Sequence, residues 1–445
     1  MDPFRFPIRP ARDAPAHAAM SRFDASTAAA HVLSSDQADR RARAAALACM
    51  VGLAVVLGVG RFAFTPLLPL MLADGSIGLK GGSWLASANY AGYFVGAVSC
   101  AALRVAPARM VRFGLVATVL LTAAMGVGHL LPVWLVVRFV AGVVSAWTFV
   151  FVSQWGLRRL AELHAPEWSG VIYAGPGVGI VVTGLIGSAL AGQRASVGWL
   201  GFAALSAVLS VAIWRTFGTT PAPERTPTPA HAQPTPPAAA PHAATGAPVT
   251  PAARADTRRP RADAAWLVVL YGAPGFGYII TATFLPVIAR AALPAGSPWP
   301  DLFWPMFGAA LIVGAITAAR LPGHWDNRLL LAAGCVTQAL GIAAGIVWPN
   351  AAGFSIGSAL LGLPFTAITL FAMREARRLH GERAAGLMGY ATASYGVGQI
   401  LGPLVAAPLA ARFGSFTPAL WVAVAALLTG AAGFAATAAR GRGSP

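Results

Sequence analysis

Twelve long apolar stretches, parted six and six by one proline-rich basic segment, restrict this chain to a single environment. A helix needs about 20 mostly apolar residues to cross roughly 30 Å of hydrocarbon, and no soluble core calls for twelve of them. Residues 113–131 and 416–437 meet that length without a charge. With 57% hydrophobic and only 11% charged residues and a mean hydropathy of +0.65, the chain reads as an all-α polytopic membrane protein. The expected spans are 43–71, 81–103, 112–131, 132–157, 168–192, 196–216, 264–289, 300–320, 329–348, 351–373, 385–410 and 415–437. They imply a tail over 1–42, a six-helix bundle over 43–216, a linker over 217–262, a second bundle over 263–437 and a tail over 438–445.

A net charge of +17 in a soluble protein would point to nucleic acid, but here its placement explains it. Of 32 Lys and Arg residues, Lys80, Arg194, Arg290 and Arg412 fall on one side and Arg61 and Arg138 within spans, leaving 26 on the side of the two termini. The positive-inside rule makes that side cytoplasmic. No nucleic-acid partner is needed; the expected partners are the lipid bilayer and a small-molecule substrate, and the chain is expected to act as a monomer. Basicity carried almost wholly by Arg indicates a high-GC bacterial genome, and so the inner membrane.

Residues 1–42 lack the apolar core and small-residue cleavage site of a signal peptide, so the first span is expected to serve as an uncleaved signal. Cys49, Cys100 and Cys335 lie inside spans without CxxC spacing, which predicts packing roles, no disulfide framework and no metal. No cofactor motif occurs: the Gly-rich runs sit in apolar helices, without the strand or the GKS/T of a phosphate loop. The linker, typified by PAPERTPTPAHAQPTPP, cannot bury a core and reads as an extended tether. At its end Arg254, Arg258, Arg259 and Arg261 either touch anionic lipid or simply fix topology.

The two halves echo each other. GVGRFAFTPLLP (58–69) aligns without gaps on GFGYIITATFLP (275–286), and GVGI (177–180) on GVGQ (396–399). Pairing span one with seven and five with eleven predicts two parallel six-helix repeats about an axis along the membrane normal. With these motifs the chain resembles the major facilitator superfamily, and GVGRFAFTPLLPLM with GYATASYGVGQILGPL resembles its YbfB/YjiJ-like branch. The resemblance implies a secondary transporter whose bundles rock about a central site lined by spans 1, 4, 7 and 10. Arg138 and Gly142 match its span-four motif, Gly175, Pro176, Gly177 and Gly179 its span-five motif, and Gly402 with Pro403 the similar element of span eleven. Its cytoplasmic gating motif is poorly kept: Cys100 stands where an acid is expected, leaving Arg104, Arg109 and Arg112, while Asp326 and Arg328 keep a fragment in the second half.

Chemistry should rest on the intramembrane charges. A charge at mid-bilayer costs at least about 2.5 kcal/mol on insertion scales, so it faces protein or water and has a partner. Arg61 and Arg138 both fall in the outer half of their spans, yet all fifteen acidic residues lie in tails, loops or span edges. A buried acidic proton relay is therefore absent, and any coupling to protons is left open. Two unpaired guanidiniums suit an anionic organic substrate. Alternatively, Arg61 bonds carbonyls freed by Pro66 and Pro69, and Arg138 braces neighbouring helices. Polar stripes add Tyr278, Tyr395, Gln399, Asn89 and Tyr93 as substrate contacts, with interhelical bonding as their alternative role. Gly60, Pro66, Pro69, Gly142, Gly175, Pro176, Gly402 and Pro403 are expected to serve as hinge or packing points. An embedded enzyme is disfavoured by scattered histidines; efflux of hydrophobic compounds and a fluxless sensor remain alternatives to solute transport.

Overall fold

The computed structural model describes residues 37–218, 258–381 and 384–442. The tail before residue 37, most of the linker with Arg254, and the side chains of Arg258, Arg259 and Arg261 lie outside the described residues. Twelve long helices follow in order: α1 (Gln37–Ala73), α2 (Leu79–Ser99), α3 (Pro107–Val127), α4 (Leu131–Glu162), α5 (Ser169–Ala189), α6 (Ala195–Ile213), α7 (Arg258–Ala292), α8 (Trp299–Arg320), α9 (Asn327–Val347), α10 (Ala351–His380), α11 (Ala384–Phe413) and α12 (Thr417–Arg442). The first helix thus starts within the expected tail, α7 within the expected linker, and α3 about a turn earlier than expected.

Eleven of these helices are long and apolar enough to cross a membrane by themselves; α2 is not among them. Its sequence explains why. Ser83, Ser87, Asn89 and Tyr90 are buried on α2, which is packed between α4 and α11, so its polar residues face protein and lower its mean hydropathy.

Helices α1–α6 and α7–α12 form two bundles with matching neighbours. The pairs α1·α5, α2·α4, α3·α4 and α3·α6 recur as α7·α11, α8·α10, α9·α10 and α9·α12. Between the bundles α2 packs on α11 and α5 on α8, two contacts that exchange when the halves are swapped, and α1 packs on α7. The glycines of the repeated motifs make this possible. A Cβ on Gly58 would strike the backbone of Gly179, and a Cβ on Gly398 would lie 3.1 Å from the carbonyl carbon of Gly275; these are equivalent pairs, one in each half. Such close helix approach admits only small residues.

Helix α1 is interrupted. Residues Ala54–Val59 are π-helical, a tight turn follows, and helix resumes at Phe64. Pro66 has no N–H to offer the carbonyl of Phe62, and the N–H of Thr65 bonds that carbonyl at 3.2 Å in place of Arg61's. The break therefore frees backbone acceptors in the middle of the bundle, where a partner must be found for them.

Candidate functional site

Arg138 supplies that partner. Its two terminal nitrogens donate to the carbonyls of Gly60 and Arg61, both at 3.2 Å, and its guanidinium lies 5.0 Å from the ring centre of Phe64. Asn89 in turn donates its amide to the carbonyl of Arg138 at 2.9 Å, and Gly142 lets α4 approach the Asn89 backbone. The carbonyls freed in α1 thus belong to Arg138, not to Arg61, and Arg138 and Asn89 form a frame behind the break.

Arg61 is left free to point into the interface between the halves. It is 5% exposed, and Nη2 donates to Oε1 of Gln399 on α11 at 3.0 Å. The amide of Gln399 donates to the hydroxyl of Tyr278. Arg61 and Tyr278 occupy the same position in the two repeats, so one glutamine joins two equivalent residues of opposite halves. The guanidinium also lies 4.1 Å from the ring centre of Tyr93 and 5.1 Å from that of Tyr90, where the electron-rich faces stabilise its charge. Nε of Arg61 has no hydrogen-bond partner, and no carboxylate pairs with Arg61 among the described residues.

Of the residues anticipated from sequence, Arg61, Tyr278, Tyr395, Gln399 and Tyr93 come together here, with Tyr395 stacked on Tyr278 at 5.9 Å. Arg138 and Asn89 lie one layer behind. Sequence reading missed Tyr90, whose hydroxyl bonds that of Thr283 at 2.9 Å, and the rings of Phe62, Trp304 and Phe365. Tyr90 precedes Tyr93 by three residues and shares its helix face, so a face count of α2 finds it; the phenylalanines carry no polar signal. Thr281, three residues beyond Tyr278 on α7, lines a separate void of about 20 Å³ between α7, α9, α10 and α12. The hinge candidates divide similarly: Gly60 sits in the turn, Gly175 packs on the Met50 carbonyl, Gly402 on Ile279, and Pro66 beneath Gly187, while Pro69, Pro176 and Pro403 lie inside helices.

Four side-chain hydrogen bonds join the halves among the described residues: Arg61 to Gln399, Thr65 to the Ala282 carbonyl, Ser87 to the Ile400 carbonyl, and Tyr90 with Thr283. All lie between mid-bundle and the face opposite the termini. Thr65 and Ala282 are repeat-equivalent, so their contact marks the pseudo-twofold axis. At the termini face the second half holds its own ion cluster, in which Arg328 lies 3.3 Å from Asp326 and 3.7 Å from both Asp263 and Glu375, and bonds the Thr437 carbonyl at 2.8 Å. In the first half Arg112 keeps the analogous bond to the Trp214 carbonyl, at 3.3 Å, but stacks on that indole where an acid is missing.

Two parallel six-helix repeats closed around a buried polar centre define a transporter of the major facilitator superfamily. The solved nucleoside transporter NupG shares the fold, with a TM-score of 0.63 over 88% of this chain and 99% of that one at 14% identity. A D-xylose–proton symporter matches with a TM-score of 0.65 over 88% and 96% at 11% identity. No curated protein matches the chain. Residues 53–433 match the family described as uncharacterised MFS-type transporter YbfB, and the chain belongs to that family. It is an integral membrane protein that moves a small-molecule substrate and is not an enzyme.

Proposed function

We propose that this transporter carries a small organic anion by alternating access, with Arg61 as the anion-binding residue. The observation that carries the reading is a buried guanidinium on the seam between the halves, held by a neutral amide of the opposite half and lacking a carboxylate partner among the described residues. Such a cation remains charged in any protein environment, and a carboxylate would satisfy its planar fork better than one amide oxygen does. Tyr278, Tyr395, Gln399 and Tyr93 complete the site, whereas Arg138 and Asn89 fix the break in α1 that aims Arg61.

With the termini cytoplasmic in a bacterial inner membrane, the four bonds between halves seal the outer side, and the substrate path leads to the cytoplasm. Release of the Arg61–Gln399 link on binding supplies the coupling between occupancy and rocking, because one partner belongs to each half. The bundles over 43–216 and 263–437 are the rocking bodies. A single chain contains the whole site, consistent with a monomer. The aromatic wall of the seam favours a second reading, efflux of neutral hydrophobic compounds.

The test is thermal stability of the purified protein against organic anions, neutral hydrophobes and lipophilic cations, in parallel with Arg61→Gln, since a ligand of the native state raises apparent stability by mass action. Anions that stabilise the wild type and not the variant support the proposal. Stabilisation only by neutral compounds or cations sinks it in favour of efflux.

A further inference from the structure

The rings at the seam form a continuous ribbon. Tyr271 lies 5.0 Å from Tyr395, Tyr395 5.9 Å from Tyr278, Tyr278 5.0 Å from Phe365, Phe365 6.5 Å from Phe62, and Phe62 6.0 Å from Trp304, centroid to centroid. Helices α7, α11, α10, α1 and α8 contribute, so the ribbon draws on both halves. Only 9% of the residues are aromatic, and aliphatic side chains would exclude water from this seam equally well. Rings add something aliphatic residues lack: flat faces that prefer flat partners.

Polar atoms within the same layer lack partners. Nε of Arg61, Nε1 of the fully buried Trp304 and Oγ1 of Thr366, next to Phe365, are buried without a hydrogen bond. Two of the three can only donate, so what they lack is an acceptor. Tyr278 and Tyr395 are close to parallel, 25° between planes, while Tyr93 and Tyr395 keep partial exposure. Tyr278 and Tyr395 share the wall of the second half, and parting of the halves by two van der Waals intervals of about 3.5–4.0 Å would admit a flat ring against that wall.

Resting on the reading of Arg61 as the anion site, we propose that the substrate is an aromatic monocarboxylate. Its carboxylate takes Arg61 in place of the Gln399 side-chain oxygen, and its ring packs against the wall formed by Tyr278, Tyr395 and Phe365 as the halves part. One guanidinium compensates one negative charge; a dicarboxylate or a sugar phosphate would place further charge among rings, where its desolvation is uncompensated. The same guanidinium repels an organic cation from the aromatic faces that would otherwise attract it.

The experiment titrates the purified full-length protein, followed by thermal shift, with four probes: benzoate, cyclohexanecarboxylate of equal charge but no flat ring, benzamide of equal shape but no charge, and succinate. We expect benzoate to bind at least about tenfold more tightly than each of the others. Tyr278→Leu and Tyr395→Leu should each narrow the preference of benzoate over cyclohexanecarboxylate, and Arg61→Gln should remove binding of both. Equal or tighter binding of cyclohexanecarboxylate or succinate overturns the aromatic assignment and leaves the anion site standing. Equal binding of benzamide and benzoate, or no shift from any probe, overturns both. The comparison among probes needs only the wild type, so a variant that fails to fold does not rescue the proposal.

Discussion

Replacing the bridge by a competitor of the substrate is the most direct probe of the seam. Gln399 accepts from Arg61 at 3.0 Å, and Gln399→Glu converts that neutral acceptor to a carboxylate at the same place without changing its size. At an effective dielectric near 20 and about 4 Å, the new attraction is roughly 4 kcal/mol gross. Removing the carboxylate from water as the halves close consumes a large part of it. A net bias of about 1.4–2 kcal/mol toward the closed arrangement remains, which is a shift of about ten- to thirtyfold in population. The tethered carboxylate also occupies the place of the substrate's own. We therefore expect the apparent affinity for benzoate, read by thermal-shift titration, to fall at least about tenfold. Counterflow in proteoliposomes should fall with it. Affinity unchanged to within about twofold, a difference of roughly 0.4 kcal/mol, would refute the placement of the substrate carboxylate on Arg61 at Gln399.

Other consequences follow from single contacts. Arg138→Gln strands the carbonyls of Gly60 and Arg61, at about 1–3 kcal/mol each, and should lower the melting temperature markedly; a variant as stable as wild type would remove Arg138 from the α1 break. Gly58→Ala places a methyl 2.9 Å from the carbonyl carbon of Gly179, a backbone atom that cannot rotate away, and should cost about 1–3 kcal/mol or more, whereas Gly170→Ala meets open space and should be neutral or gain up to about 1 kcal/mol; paired melting curves check both. Burial pushes the Asp326 carboxyl up, but hydrogen bonds from the Arg328 side chain and N–H and the charges of Arg328 and Arg378 outweigh it and hold it below 3.8. With the folded value depressed, its stabilisation is present above 3.8 and is lost as pH falls through the lower folded value, so Asp326→Asn should flatten the low-pH limb of the stability profile.

Much of the architecture was written in the chain. The membrane class, the twelve helices and the pairing of α1 with α7 and of α5 with α11 follow from hydropathy and from the Gly-x-Gly motifs, because a bilayer demands long apolar runs and close packing demands missing side chains. Arg61 stood out for the same reason, as charge is rare at such depth. What sequence left open was the division of labour between Arg61 and Arg138. Both are single arginines in apolar helices, and nothing local distinguishes them. Only folding places Arg138 across from the carbonyls of Gly60 and Arg61 and places Gln399, 338 positions along the chain, against Arg61. The aromatic ribbon was likewise invisible, since Phe62, Trp304 and Phe365 read as ordinary apolar residues until three helices bring their faces together. Hydrophobic length is a property of each segment and is legible one segment at a time. Which donor meets which acceptor across a seam is settled by the packing of whole bundles, and no single segment carries it.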